Sequence, residues 1–181
     1  MAYYRDNMHA LRCVAVVLLF AASPPAQQRL RPPDVRYVPT PQNVVEVMLD
    51  MAHVTSADVV YDLGSGDGRI PITAAEKYGA IGVGIEIQPR LIEIAKDNAI
   101  KARVADRVWF LNQDLFETDL SPATVVAMYL LPQMNQKLAP KLRRLRPGTR
   151  IVTHYYDLGP DWPADQSQDV NSLMVYLFTV R

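Results

Sequence analysis

Val59-Val60-Tyr61-Asp62-Leu63-Gly64-Ser65-Gly66-Asp67-Gly68-Arg69 is the stretch from which the fold is read. An apolar, β-branched run passes into a loop with three glycines and then into a pattern that predicts a helix. Glycines at such a junction permit a tight turn and let backbone approach a ligand without Cβ clashes. A dinucleotide fingerprint would need glycine where Arg69 stands, and a phosphate loop would need Gly-Lys-Ser/Thr, which is absent. Asp62 instead sets a carboxylate beside the loop, which suits an ammonium or sulfonium better than a pyrophosphate.

Outward from this unit the chain alternates between β and α patterns. Thr40-Pro41 is expected to cap and start a helix running to about Met51, with Val44, Val45, Met48 and Leu49 on one face. A strand over Asp58–Leu63 leads through the glycine loop to a helix over Arg69–Tyr78. A strand over Ile81–Ile87, a helix over Pro89–Ala102 and strands over Arg107–Leu111 and Thr124–Leu130 follow. Gln133–Leu145 reads as a helix broken in two by Pro140, and Arg150–Tyr155 as a fifth strand. Gln166–Val170 and Leu173–Val180, split by Asn171-Ser172, predict a terminal hairpin. Such alternation with apolar strands predicts an α/β fold whose parallel sheet is covered by helices on both faces.

Two more acidic residues fall at strand ends. Glu86 closes Gly82-Val83-Gly84-Ile85-Glu86-Ile87, where a carboxylate accepts hydrogen bonds from ribose hydroxyls. Asp114, in Asn112-Gln113-Asp114-Leu115, can take an adenine amino group while Leu115 packs on its ring. Each feature alone has an ordinary explanation: turn glycines, an exposed strand-end glutamate, an aspartate capping a helix. Together they occupy the carboxyl ends of neighbouring strands, where open α/β sheets bind ligands.

Asp62-Leu63-Gly64-Ser65-Gly66-Asp67-Gly68, Glu86 and Asp114 resemble the motifs of class I S-adenosylmethionine (SAM)-dependent methyltransferases. The likeness spans about residues 37–181. It implies a Rossmann-like, seven-stranded, mostly parallel sheet with a C-terminal antiparallel hairpin, and SAM as cofactor. It also implies a cofactor site of Thr40, Asp62, Gly64, Ser65, Gly66, Gly68, Glu86, Ile87, Asp114 and Leu115. Tyr37-Val38-Pro39-Thr40-Pro41, the glycine loop and Tyr129-Leu130-Leu131-Pro132 are similar to one subfamily. That subfamily holds small bacterial and archaeal proteins and the mitochondrial protein-lysine methyltransferases of the ATP synthase c-ring protein and the adenine nucleotide translocase. The resemblance thus implies a protein-lysine acceptor. A small molecule, a lipid or RNA as acceptor stays open, as does a SAM- or SAH-binding module without catalysis.

Methyl transfer from a sulfonium needs donor and acceptor held in line and the acceptor's protonation tuned, with no metal. Tyr129, after the fourth strand, is a candidate acceptor-pocket wall, since an aromatic face favours an amine; it reads equally as a core aromatic. Tyr37, with Thr40, lies in a segment resembling the family's cofactor lid. His154 is a candidate substrate contact or a hydrogen-bonded strand-end histidine. Asp67 either shapes the loop or is solvated. Methyltransferases of base amino groups or glutamine amides carry Asn/Asp-Pro-Pro-Tyr where this chain has Tyr129-Leu130-Leu131-Pro132, which counts against those acceptors.

Composition sets outer limits. The 181 residues are 49% hydrophobic and 21% charged, which suits one globular domain. Nineteen basic and nineteen acidic residues cancel, so phosphate-driven nucleic-acid binding is disfavoured. One cysteine, Cys13, and three scattered histidines predict neither a disulfide framework nor a metal site. Lys137, Lys141, Arg143, Arg144, Arg146 and Arg150 form a basic stretch, either a solvated helix face or a docking surface for acidic protein, RNA or anionic lipid.

The N-terminus is of another kind. Arg5 and Arg12 precede the uncharged run Cys13–Ala22, which small residues and prolines follow. Such a run rises about 15 Å as a helix, half a hydrocarbon core, which resembles a signal peptide more than a spanning helix. The expected organisation is a signal-like or membrane-anchor segment over 1–26, a Pro-rich linker and lid over 27–40, and the methyltransferase domain over 41–181. Membrane association or export is expected from the first segment. A cytoplasmic protein is the alternative if the segment is silent or the start codon lies downstream.

Overall fold

The computed structural model describes residues 30–181, so the segment 1–26 and the first linker residues lie outside the described residues. The elements run α1 (Gln42–Met51), β1 (Val59–Leu63), α2 (Arg69–Tyr78), β2 (Ile81–Glu86), α3 (Pro89–Lys101), β3 (Val108–Asn112) and β4 (Val125–Met128). They continue as α4 (Pro132–Leu142), β5 (Arg150–His154), β6 (Gln166–Val170) and β7 (Leu173–Thr179). The seven strands form one sheet in the order β3-β2-β1-β4-β5-β7-β6. Neighbours from β3 to β5 are parallel, and β7 runs antiparallel to both β5 and β6. Asn171 and Ser172 turn the last hairpin with φ of 55° and 68°, the left-handed pair that matches strand twist.

Alternation along the strands separates two cores. Val60, Val125, Ala127 and Val152 face Val44, Val45, Met48 and Leu49 of α1 and Ile70 and Ala74 of α2. Leu63, Val126, Met128 and Ile151 face Met134, Leu138 and Leu142 of α4. Leu63, Met128, Leu138 and Leu142 are fully buried, each contributing about 1.5–3 kcal/mol. Helices do cover both faces, but unequally: among the described residues α1, α2 and α3 share one face, and α4 alone covers the other. Leu115, Leu120, Leu158 and Trp162, from the segments flanking β4 and β5, complete the cover on the α4 side.

Two local expectations are corrected. Pro140 does not divide α4: it lies in the last turn, costs that turn one backbone donor, and the anchors Leu138 and Leu142 on either side stay buried. Thr40 does not cap α1. Pro41 is the N-cap, its carbonyl accepts from Val44 and Val45, and the Thr40 hydroxyl turns inward to His154.

The start of β1 is pinned by a buried charge. Asp58 accepts from the Thr55 amide at 2.8 Å and the Thr124 hydroxyl at 2.7 Å, and it pairs with Arg150. Burial works to raise its pKa, but these donors outweigh it and hold the carboxyl below the ordinary value.

Candidate active site

The carboxyl ends of β1, β2, β3 and β4 open into a cleft of about 70 Å³ whose lining includes Tyr37, Gly64, Glu86, Asp114, Leu115 and Tyr129. A smaller cleft beside it is lined by Thr40, Asp62, Ser65, Asp67 and Arg69, and Tyr37, Gly64 and Tyr129 line both. Ile87 also lines the larger cleft, so ten of the predicted site residues lie along the two clefts at the carboxyl ends of the strands, whereas Gly66 and Gly68 line neither and Gly68 faces Phe110 and Ala95.

The glycine loop is folded by its own amides. Gly64 and Ser65 both donate to the Ile85 carbonyl, at 2.9 and 3.0 Å, and Gly68 donates to Ser65 at 2.8 Å. Gly66 has a φ of +53°, and a Cβ there would sit 2.1 Å from the Tyr37 ring, so both its conformation and its neighbour demand glycine. Gly84 on β2 has no unusual conformation, yet a Cβ there would meet the Ser65 hydroxyl at 2.6 Å. Asp67 is no solvated turn residue. Arg69 clasps both its oxygens, at 2.9 and 2.6 Å, and donates at 2.8 Å to the Thr40 carbonyl, tying the loop to the segment before α1.

Three carboxylates mark the clefts, in three different states. Asp62 is 3% exposed and accepts no hydrogen bond among the described residues. Burial, with Glu86 and Asp67 nearby, drives its pKa well above the ordinary value. Glu86 is held by the Gly66 amide at 3.0 Å and the Gln88 amide at 2.9 Å, one on each oxygen, which leaves further lone pairs for hydroxyl donors. Asp114 is engaged by the protein itself. Arg31 grips both its oxygens, the Phe116 amide donates at 3.0 Å, and the Arg31 guanidinium holds its pKa below the usual carboxylate range.

On the aromatic side, Tyr129 leaves β4 with its ring centroid 4.1 Å from that of His154. Burial, with Tyr156 and Tyr155 nearby, raises the Tyr129 phenol pKa. Tyr37 lies over the glycine loop with its hydroxyl buried and without a hydrogen-bond partner among the described residues, and burial together with the charge of Asp67 raises its pKa.

A buried carboxylate without a protein cation, beside a glycine cradle and a glutamate with free lone pairs, fits a ligand carrying an ammonium, a sulfonium and a ribose. Residues 62–166 match the family described as the ANTKMT methyltransferase domain. The chain belongs to this family. Members similar to it include a protein-lysine N-methyltransferase of Saccharolobus islandicus (strain REY15A), 48% identical over 128 residues, which are 70% of this chain and 80% of that one. An ATP synthase C-subunit lysine N-methyltransferase of Xenopus laevis is 31% identical over 164 residues, 89% of this chain and 71% of that one. Among solved structures, an RNA methyltransferase from Salinibacter ruber in complex with S-adenosyl-L-homocysteine (SAH) is 54% identical, with a TM-score of 0.77 over 79% of this chain and 94% of that one. The protein is therefore a SAM-dependent methyltransferase with a Rossmann-like fold, as the ANTKMT-type motifs implied.

Arg31, Arg69 and Gln88 escaped the sequence reading as parts of this methyltransferase site. The Arg31 signal was faint: a single cation beside two prolines with Asp34 three residues on, and the two do pair. The basic stretch is largely a solvated face: Leu138, Leu142 and Leu145 turn inward, while Lys137, Arg143, Arg144 and Arg146 stay exposed and Lys141 and Arg150 are half-buried. Lys141 donates to the Phe116 and Thr118 carbonyls, Arg150 pairs with Asp58, Lys137 lies over the Phe116 ring at 3.7 Å and Arg143 over Trp162 at 5.1 Å. No group of three or more His, Cys, Asp or Glu residues suited to a metal occurs among the described residues.

Proposed function

We propose that this methyltransferase transfers the methyl group to a protein lysine. The carrying observation is that Tyr37 and Tyr129 line both clefts, with apolar Leu130 and Met134 lining the larger one. A narrow aromatic frame suits an alkylamine stem, which slides through it and presents nitrogen end-on. The lysine-methyltransferase names of similar proteins support the same reading. SAM supplies a methyl group already activated on a sulfonium. In this proposal Asp62 pairs with the cationic methionine end, Glu86 accepts from the ribose, and Asp114 and Leu115 hold the adenine. The backbone of Gly64, Ser65, Gly66 and Gly68 forms the cradle, and Thr40 and Ile87 complete the wall. Tyr37 and Tyr129 flank the acceptor path and exclude water.

A lysine amine has a pKa near 10.4 in water and must lose its proton before attack; partial desolvation beside a cation lowers that value without a dedicated base. The test uses tritiated SAM and a membrane-rich lysate, with total acid hydrolysis of the protein fraction. Label is expected in methyl-lysine, at a rate that rises from neutral pH toward about 9. Label confined to RNA, lipid or a soluble metabolite overturns the lysine acceptor and leaves the methyltransferase standing. RNA is the acceptor named for the Salinibacter ruber protein. Here Lys141 and Arg150 are engaged by internal carbonyls and Asp58, and basic and acidic residues balance over the chain. The proposal extends to residues 1–26 as a membrane-directing segment. Their deletion is expected to release a SAM-binding domain from the membrane fraction, and an uncleaved full-length protein wholly in the cytosolic fraction refutes this.

A further inference from the structure

We propose that His154 is a positioning residue for methyl transfer: held by Thr40, it sets the ring of Tyr129 at the acceptor path. The inference rests on the reading of Tyr129 as a wall of that path. Met128 of β4 pairs with Thr153 of β5, so the next residues, Tyr129 and His154, leave the two strands side by side. The His154 ring supports Tyr129 at 4.1 Å and a tilt of 43°. Tyr155, forced into a left-handed backbone with φ of 68°, closes on His154 edge-on at 6.4 Å.

His154 is costly where it stands. It is 2% exposed, its Nε2 has no hydrogen-bond partner among the described residues, and burial pushes its pKa down to about 4. An apolar side chain would fill the same volume without an orphaned nitrogen. What the imidazole supplies is its Nδ1, 3.2 Å from the Thr40 hydroxyl. Thr40 in turn gives its carbonyl to Arg69, which clasps Asp67 of the glycine loop. One continuous line, Asp67–Arg69–Thr40–His154–Tyr129, therefore joins the loop on the donor side to the ring on the acceptor side. In-line displacement punishes a misplacement of even about 1 Å, so a shared frame for the two sides bears on rate more than on binding.

The experiment measures initial methyl transfer from tritiated SAM to a fixed lysate acceptor, with SAH affinity by calorimetry, for His154→Ala, His154→Phe, Tyr129→Ala and the double variant His154→Ala/Tyr129→Ala. His154→Ala is expected to lower the rate at saturating SAM by about tenfold while SAH affinity stays within about threefold. His154→Phe keeps a ring under Tyr129 but loses the Thr40 bond, and it is expected to fall between wild type and His154→Ala. It also serves if the alanine variant fails to fold. The double variant is expected to be no slower than Tyr129→Ala alone, because His154 acts through that ring. Multiplicative losses in the double variant, a rate for both His154 variants within about twofold of wild type, or a parallel collapse of SAH affinity each overturn the inference. An unchanged rate for Tyr129→Ala removes the acceptor-wall reading and this inference with it. A slowed Tyr129→Ala beside an unchanged His154→Ala removes the inference alone.

Discussion

At one end of the paired clefts Asp62 is buried and accepts nothing from the described residues; at the other Asp114 is gripped by Arg31 and the Phe116 amide. The two residues are chemically identical, one near the end of β1 and the other just beyond β3. The Asp62 end is left incomplete by the chain, and a cation from outside relieves its desolvation. The Asp114 end is completed from within, by a guanidinium arriving from the segment before α1. Binding strength is therefore expected to concentrate at the Asp62 end, with the Asp114 end tuning it.

The sharpest way to break this comparison is Asp62→Asn. Losing the charge partner of a buried cation costs about 3–5 kcal/mol, so SAM affinity is expected to fall by at least about a hundredfold in calorimetry. The same substitution is expected to raise the melting temperature of the ligand-free protein at pH 7. A carboxyl whose folded pKa is raised contributes stability at pH below its unfolded value and loses it as pH rises through the folded pKa; asparagine has no such loss. Wild-type SAM affinity should accordingly fall as pH drops through the raised Asp62 pKa, and that acid limb should vanish in the asparagine variant. A variant that binds SAM normally, or melts lower without ligand, breaks the contrast.

Next in size is Gly66→Val. The left-handed backbone and the Tyr37 ring both resist a side chain there, and SAM affinity is expected to drop by about ten- to a hundredfold while the circular dichroism spectrum is kept. Glu86→Ala should weaken SAM and SAH by similar factors of about ten to a hundred, because both carry the ribose and each charged hydrogen bond contributes about 1.5–3 kcal/mol. A 2′-deoxyribose analogue that wild type binds as well as SAH excludes Glu86 as the ribose anchor.

The smallest effects belong to the Asp114 end, and their signs should oppose. Asp114→Ala is expected to weaken SAM, whereas Arg31→Ala, which frees the carboxylate for the adenine amino group, should strengthen it by up to about fivefold. Arg31 is partly exposed, and such a pair contributes only about 0–1 kcal/mol. Equilibrium titration of both variants measures this. A weaker Arg31→Ala makes the guanidinium part of the ligand site and not its competitor.

Local chemistry made the frame of this site readable. Short apolar strand runs, a glycine loop followed by a helix, and acidic residues at successive strand ends are short-range patterns, and the structure places them where they were expected. The cap at Thr40 and the break at Pro140 were misread for one reason. Propensity describes a side chain against its own helix, and tertiary partners override it: His154 draws the Thr40 hydroxyl inward, and the buried Leu138 and Leu142 carry α4 past its proline. The basic stretch was legible as a solvated face, but adjacency along the chain did not show that Lys141 and Arg150 would turn to carbonyls and a carboxylate.

The order of elements, the sheet class and the acidic marks of the cleft were determined by sequence alone, because each rests on backbone periodicity or on residues a few positions apart; the methyl-donor chemistry was implied by the resemblance of those marks to class I methyltransferases. The partners of those marks were decided only by the tertiary structure. Arg31 reaches Asp114 across 83 positions and Thr40 reaches His154 across 114, while Asp62 meets no cation among the described residues. Whether a buried polar group is satisfied depends on what long-range packing brings within about 3 Å of it, and no local pattern encodes that distance.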